Sequence, residues 1–327
     1  MDINKKYTPA QRAEKAFKIE IPDQAPTFEL EFQLAPELFG RELICYKHNA
    51  EEFAKLSRKE QEAYIDEEAD FTVKVYEALD YSIIPCYGGR WAFDSWEYKA
   101  FVKAIRQRIG NTRLLGNHGD GTFSIPDGNH MYEFAYRLYD DPEGMNRDAE
   151  NMCRGAIENN KKLSEAGIDV VWLCSDYCYN SGPFMSPDMF SEYVTPYLAR
   201  IISSAKAEGL WTIKHTDGDI MPILNQLVDT EPHALHSLDP MAGVDIAEIK
   251  RLYGDRIALC GNVNCALMQT GTDEEVRESA MYALKHGMPG GGYFFCTSNV
   301  PFRGMPPERY AMILDIWREY RDYPPKL

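Results

Sequence analysis

Trp211 to Asp219, WTIKHTDGD, is an apolar run that stops at His215, Thr216 and Asp217, after which Gly218 and Asp219 open a helix. A buried parallel strand that hands polar groups to its C-terminal end reads this way. A later apolar run, Gly291 to Cys296, ends in a thiol. Side chains at i and i+2 of a strand share a face, so His215 and Asp217 reach one ion if the strand persists to its last residue. With Cys296 they make three metal ligands of three types.

Working outward, a unit of apolar run, loop and helix recurs from Tyr81 onward. The runs are Tyr81 to Tyr87, Arg113 to Gly116, Ile168 to Cys174, Leu210 to His215, Ala234 to Leu238, Ile257 to Cys260 and Tyr293 to Cys296. A mostly helical insertion covers about Met131 to Gly167. Helix starts are marked by Ser57 with Glu60, Asp94 with Glu97, Asp245 with Glu248 and Thr272 with Glu275, each pair in capping-box spacing. Ser186, Pro187 and Asp188 open another helix, which Pro196 should kink or divide. Seven continuous apolar strands alternating with helices predict a parallel sheet covered by helices, and their regular repetition favours a closed (β/α)8 TIM barrel. Glu42 to Tyr46, ELICY, is the best candidate for the eighth strand. Residues 1–80, acidic and helical in pattern, read as an N-terminal helical extension packed on the barrel of residues 81–327. No Pro/Gly/Ser linker divides the two, so one domain is expected.

Composition narrows the function. The chain has 327 residues, 44% hydrophobic and 26% charged, as in an ordinary globular protein. Its net charge of −16, with no Lys/Arg cluster, argues against nucleic acid and anionic membrane as partners. With no apolar stretch of signal-peptide or membrane-spanning length, a cytoplasmic location is expected. The eight cysteines are dispersed. Cys174 and Cys178 are four apart, but a zinc ribbon needs a second such pair and none follows.

In a barrel of this kind the working face lies at the C-terminal ends of the strands. The polar residues there are Asn117, His118, Asp176, His215, Asp217, Asp239, Asn262, Asn264, Cys296, Ser298 and Asn299. Most have a plain structural reading: Asp176 can cap a helix, Asp239 before Pro240 can start a turn, Asn262 and Asn264 can bond their own loop. His233 and His236, in or beside a buried run, can satisfy backbone groups. His215, Asp217 and Cys296 are harder to explain so, because an unpaired buried carboxylate costs several kcal/mol.

The stretches MSPDMFSEYVTPYLARI, HTDGD, VDIAEIKRLYGDRIALCGNVN, and GTDEEV through NVPFRGMPPERY resemble the uroporphyrinogen decarboxylase superfamily over roughly residues 130 to 320. The resemblance implies a (β/α)8 barrel. The Arg-Gln-Ala-Gly-Arg motif and the early Asp of the true decarboxylase are missing, and Ser298, Asn299 and Val300 stand where Gly-His-Gly is expected. The chain is more similar to the branch of zinc-dependent corrinoid methyltransferases, whose metal motif is His-x-Cys with a distant Cys. It matches at His215 and Cys296 and departs at Asp217. What the resemblance implies is a Zn2+ site of His215, Asp217 and Cys296, with Asp239 as fourth ligand or as a partner that supports the ligands, and Asp176, Asn262, His118 and Tyr177 on the substrate side. A carboxylate in place of thiolate is a harder ligand, which favours a methyl donor that leaves through oxygen, such as an aromatic methyl ether. That is the chemistry of methyltransferase I of O-demethylases. The corrinoid, as methyl acceptor or donor, would arrive on a separate carrier protein, because the chain lacks the Asp-x-His-x-x-Gly motif of such carriers. The alternatives are a metal-free decarboxylase and a noncatalytic barrel that binds a tetrapyrrole or corrinoid.

Overall fold

A computed structural model describes residues 6–326. Among the described residues there are nine strands: β1 Ile83–Pro85, β2 Leu114–His118, β3 Val170–Leu173, β4 Cys178–Tyr179, β5 Gly182–Pro183, β6 Trp211–His215, β7 Ala234–His236, β8 Ala258–Cys260 and β9 Tyr293–Phe294. Seven of them form one parallel sheet in the order β1-β2-β3-β6-β7-β8-β9, and β4 and β5 form a small antiparallel hairpin. Each sheet strand matches one of the seven apolar runs. They are short because each is buried on both faces, and the chain turns polar as soon as it emerges.

The sheet curls into a TIM-barrel-like form, and Phe28 makes the curl visible. Its ring stacks on Trp172 of β3 at 5.8 Å and meets Phe294 of β9 edge-on at 5.6 Å, with His236 of β7 6.2 Å away. One side chain touches three well-separated strands only if they bend around it. Trp172 is itself fully buried, and a Cβ on Gly116 of the neighbouring strand would lie 1.9 Å from its indole. Glycine at 116 is therefore a packing requirement. Below, Phe17 stacks on Trp211 at 5.0 Å and touches Phe294 at 4.7 Å, filling the N-terminal end.

The sheet's two edges meet through an unexpected segment. Thr27 forms a parallel bridge with Phe295, and its carbonyl accepts from Ser82 N at 2.7 Å, so the stretch around Thr27 lies between β9 and β1. This corrects the expectation for Glu42 to Tyr46, because Ile44–Lys47 is a short helix. The signal was present in APTFELEF, residues 25–32: Phe28, Leu30 and Phe32 alternate with polar residues and are buried. Two glutamates within it, Glu29 and Glu31, disguised an extended segment that makes a single bridge to the sheet through Thr27.

Helices occupy Pro9–Phe17, Ala35–Phe39, Ile44–Lys47, Ala50–Lys55 and Arg58–Ala78 before β1. Ser57 with Glu60 and Thr272 with Glu275 form the expected capping boxes. Asp94 does not cap; Ser95 does, accepting from Tyr98 N, while Asp94 pairs with Lys162 at 3.1 Å. Pro196 divides its helix into Pro187–Tyr193 and Thr195–Ala207. No helix of the described residues is long and apolar enough to cross a membrane.

Candidate metal centre

β6 places Ile213 and His215 on one side and Thr212 and Lys214 on the other. His215, its last residue, is 7% exposed. Its Nε2 lies 3.5 Å from Asp176 Oδ1 and 3.8 Å from Asp217 Oδ1. Asp176 comes from the loop after β3, and its side chain is 48% exposed, so the cluster opens to solvent. Among the described residues these three are the group whose ligand atoms, one from each, lie within 4.8 Å of one another.

The backbone holds this arrangement. Asp217 N donates to Asp176 Oδ1 at 3.2 Å, and Tyr177 N donates to Thr216 Oγ1 at 2.9 Å, which ties the two loops together. Gly218 has φ +82°, and a Cβ there would meet the Cys178 carbonyl at 2.5 Å, so the chain beside Asp217 rests on the β4–β5 hairpin. Ser237 and Leu238, just past β7, both adopt positive φ, a strain that commonly gathers at functional sites. The Ser237 hydroxyl lies 2.8 Å from Asp217 Oδ1 and 2.6 Å from the Ser298 carbonyl, and its single proton serves one of them at a time. Asn299 Nδ2 donates to Asp217 Oδ2. Burial pushes the Asp217 carboxyl above its ordinary value, His215 and Ser237 oppose that rise, and Asp176 and Asp239 add to it.

On the other face of β6, Lys214 is fully buried. Its ammonium donates to Asp120 Oδ2 at 3.0 Å and to the carbonyls of Leu173 and Ser175, and it sits 4.1 Å from the Tyr177 ring centroid. Burial opposes the charge on Asp120, yet Lys214, Thr122 and the Ser175 amide hold its carboxyl below the usual range. Asp120 thus ties the loop after β2 to the loop that carries Asp176. The clue was a lysine inside an apolar strand, where only a paired charge survives.

The structure brings His215 and Asp217 together, but β6 ends at His215 and Asp217 stands in the loop after it, so the turn of that loop rather than a shared strand face places the two side by side, and Asp176 rather than Cys296 joins them. The Cys296 thiol is 1% exposed, its closest hydrogen-bond acceptor is the Phe294 carbonyl at 4.0 Å, and burial raises it well above the usual thiol value. It lies outside the cluster. Asp239 also lies outside it: one oxygen accepts from Met241 N at 2.9 Å and the other from Gly218 N at 3.4 Å. Asn262 is buried and gives its amide to the Leu238 carbonyl at 2.9 Å. The Tyr177 hydroxyl is bound to Thr122 Oγ1 at 2.6 Å beneath the surface. His118, the last residue of β2, stacks on Tyr87 at 4.8 Å with its Nε2 3.5 Å from Glu31 Oε1. All eight cysteines are free thiols.

His236 was read from sequence as a core histidine; it is one, and it is also the partner of His215. The residues are in register on β6 and β7, with Nδ1 atoms 2.8 Å apart. Burial and the neighbouring His215 hold His236 well below the ordinary histidine value, so it is neutral.

Two carboxylates and an imidazole, with one side open to solvent, suit a first-row divalent cation bound by three protein ligands. The donor chemistry fits such an ion. Two recesses of about 500 and 270 Å3 lie elsewhere, along Glu143 to Asn151 and around His233, and neither includes a cluster residue.

Fold and cluster together define an α/β barrel-like protein with a candidate cation site on the C-terminal face of its sheet. The profile described as uroporphyrinogen decarboxylase (URO-D) matches residues 125–320, and the chain belongs to that family. Among curated relatives, a uroporphyrinogen decarboxylase from Thioalkalivibrio sulfidiphilus is 26% identical over 232 residues, 65% of this chain and 62% of that one. A methylcobamide:CoM methyltransferase, MtaA, from Methanosarcina barkeri is 30% identical over 189 residues, 57% of this chain and 54% of its own length. The match thus spans between half and two thirds of each relative. The solved structure of a methyltransferase from Methanosarcina mazei superposes with a TM-score of 0.71 at 16% identity, covering 96% of this chain and 99% of that one. At that identity the likeness is one of fold.

Proposed function

We propose that this chain is a zinc-dependent methyltransferase that moves a methyl group from a small aromatic methyl ether to the Co(I) corrinoid of a separate carrier protein. The observation that carries the reading is the Asp176, His215 and Asp217 cluster at the strand ends. Similarity to MtaA, whose name describes methyl transfer from a methylcobamide to CoM, supports corrinoid methyl transfer as the class, with the corrinoid as donor there and as acceptor in this proposal. In this reading the barrel is a closed (β/α)8 unit, residues 1–80 cover it, and the whole forms one cytoplasmic domain.

Asp176, His215 and Asp217 would hold Zn2+, which supplies Lewis acidity toward the oxygen of the donor. Asn299 and Ser237 keep the Asp217 carboxylate aimed, and the Asp120–Lys214 pair keeps the Asp176 loop in place. His118 and Tyr87, ring on ring, offer a flat wall for an aryl group. The corrinoid, as co-substrate on its carrier, would supply a Co(I) nucleophile for the methyl carbon, and the cluster residues would hold the cation that receives the electrons of the broken C–O bond on the departing oxygen. The methyl group would end on the corrinoid and the donor would leave as a phenolate.

The test uses purified, zinc-supplemented protein with cob(I)alamin and a methoxybenzoate, following methylcobalamin by its visible spectrum and the phenol by chromatography. Methyl transfer that is lost in His215→Ala supports the proposal. No transfer from any methyl ether, combined with carbon dioxide release from a porphyrinogen, would replace it with the decarboxylase reading favoured by the Thioalkalivibrio relative.

A further inference from the structure

The pair His215–His236 carries a consequence for how the cluster receives a cation. An Nδ1-to-Nδ1 contact of 2.8 Å holds a single proton. If that proton belongs to His236, His215 accepts it and carries its own proton on Nε2, facing Asp176 and Asp217. That nitrogen then has no lone pair to offer. If the proton belongs to His215, its Nε2 lone pair faces the two carboxylate oxygens at 3.5 and 3.8 Å, a repulsive arrangement unless a cation lies among them. In that second state His236 must carry its proton on Nε2. That atom is buried and has no hydrogen-bond partner among the described residues.

Each state therefore leaves a different cost. The first satisfies the empty cluster, since Nε2–H of His215 faces acceptors. The second satisfies a filled one, at the expense of a buried donor on His236 with nothing to receive it. We propose that His236 is a positioning residue that sets the tautomer of His215, and that, at a pH where both rings are neutral, cation binding drives the pair from the first state to the second. One proton leaves His215 Nε2, one is taken up at His236 Nε2, and the shared proton changes owner from His236 Nδ1 to His215 Nδ1. No net proton is released, and neither ring changes charge. Metal-bound histidines commonly need such a partner on the far nitrogen. Here the partner is a second imidazole with two stable forms, rather than a fixed carboxylate or carbonyl. Because β6 and β7 hold both rings in register, the exchange needs no movement of the backbone.

This inference rests on the reading that the cluster binds a divalent cation. The test is long-range 1H–15N correlation of the imidazole nitrogens in uniformly labelled protein, with and without one equivalent of Zn2+, alongside calorimetric zinc titration of wild type, His236→Phe and His236→Asn. Zinc should move the proton of His215 from Nε2 to Nδ1 and that of His236 from Nδ1 to Nε2. Zinc affinity should fall about 10–100-fold in His236→Phe and recover largely in His236→Asn, whose amide oxygen can take the place of Nδ1. Unchanged tautomers in zinc-loaded wild type, or wild-type affinity in His236→Phe, would overturn the role of His236 and leave the cation site standing. Failure of wild type to bind zinc at all would overturn the site itself. The tautomer measurement needs no variant, so a misfolded His236→Phe protein does not rescue the proposal.

Discussion

Lys214 is the residue on which the site's floor depends, although it faces away from the cluster. Its ammonium is fully buried against Asp120, so removing one partner strands the other's charge. Lys214→Met should destabilise the protein by about 3–5 kcal/mol, read from chemical denaturation. Adding Asp120→Asn should restore part of that loss, because the stranded charge goes with it. Additive losses in the double variant would show that the two do not act as a pair. Sequence named two of the three cluster residues as ligands. His215 and Asp217 were legible as polar groups gathered at the end of an apolar run, although β6 ends at His215 and the loop, not strand alternation, sets the side chain of Asp217 beside it. Asp176 was placed on the substrate side, since nothing local distinguishes a ligand from a helix cap. Cys296 was chosen by residue type and position; it is buried and is not among the three residues whose ligand atoms lie within 4.8 Å of one another. Whether such a thiol reaches the cluster depends on side-chain direction, which spacing does not reveal.

At the scale of elements, two connections decide whether the residues meet. The first is the tight passage after β6, where Gly218 combines a left-handed backbone with contact to the hairpin carbonyl of Cys178. Gly218→Ala should cost about 1–3 kcal/mol and displace Asp217, so thermal stability and zinc affinity should fall together. An Ala variant with wild-type zinc affinity would show that Asp217 is held by its side-chain partners alone. The second is the segment between β9 and β1. Glu29 is buried, and its carboxyl oxygens accept from Thr297 N at 3.1 and 3.3 Å, with Thr297 Oγ1 2.7 Å away. Thr297 Oγ1 also reaches the Asn299 carbonyl at 2.9 Å, so a protonated Glu29 that donates to Thr297 satisfies every group in the chain. Burial raises the Glu29 carboxyl to about 8 from an ordinary 4.5. The folded state therefore keeps a proton that the unfolded chain releases above about pH 4.5. Stability from this group is complete below that pH and is lost as pH rises toward 8. The 3.5-unit difference corresponds to on the order of 5 kcal/mol at most. Glu29→Gln, which mimics the protonated form, should flatten that decline in denaturation curves between pH 5 and 8. An unchanged pH dependence would place the proton elsewhere. This segment was illegible in sequence because its two glutamates mask the alternation of Phe28, Leu30 and Phe32.

For the molecule as a whole, the seven strands were readable because each is a continuous apolar run between helix signals, and the parallel order follows from the crossovers. The closing contact was not readable, because it joins residues nearly the whole chain apart: Thr27 to Phe295. The centre has the same origin, with Asp176 and Asp217 delivered by two neighbouring strands of the curled sheet. Its assignment is most directly tested by elemental analysis of wild type, Asp176→Asn and Cys296→Ser, each purified without chelator and shown to be folded. The account predicts about one divalent ion per chain in wild type and in Cys296→Ser, and a sharp loss in Asp176→Asn. Retention in Asp176→Asn with loss in Cys296→Ser would contradict it and return the centre to the thiol-containing set.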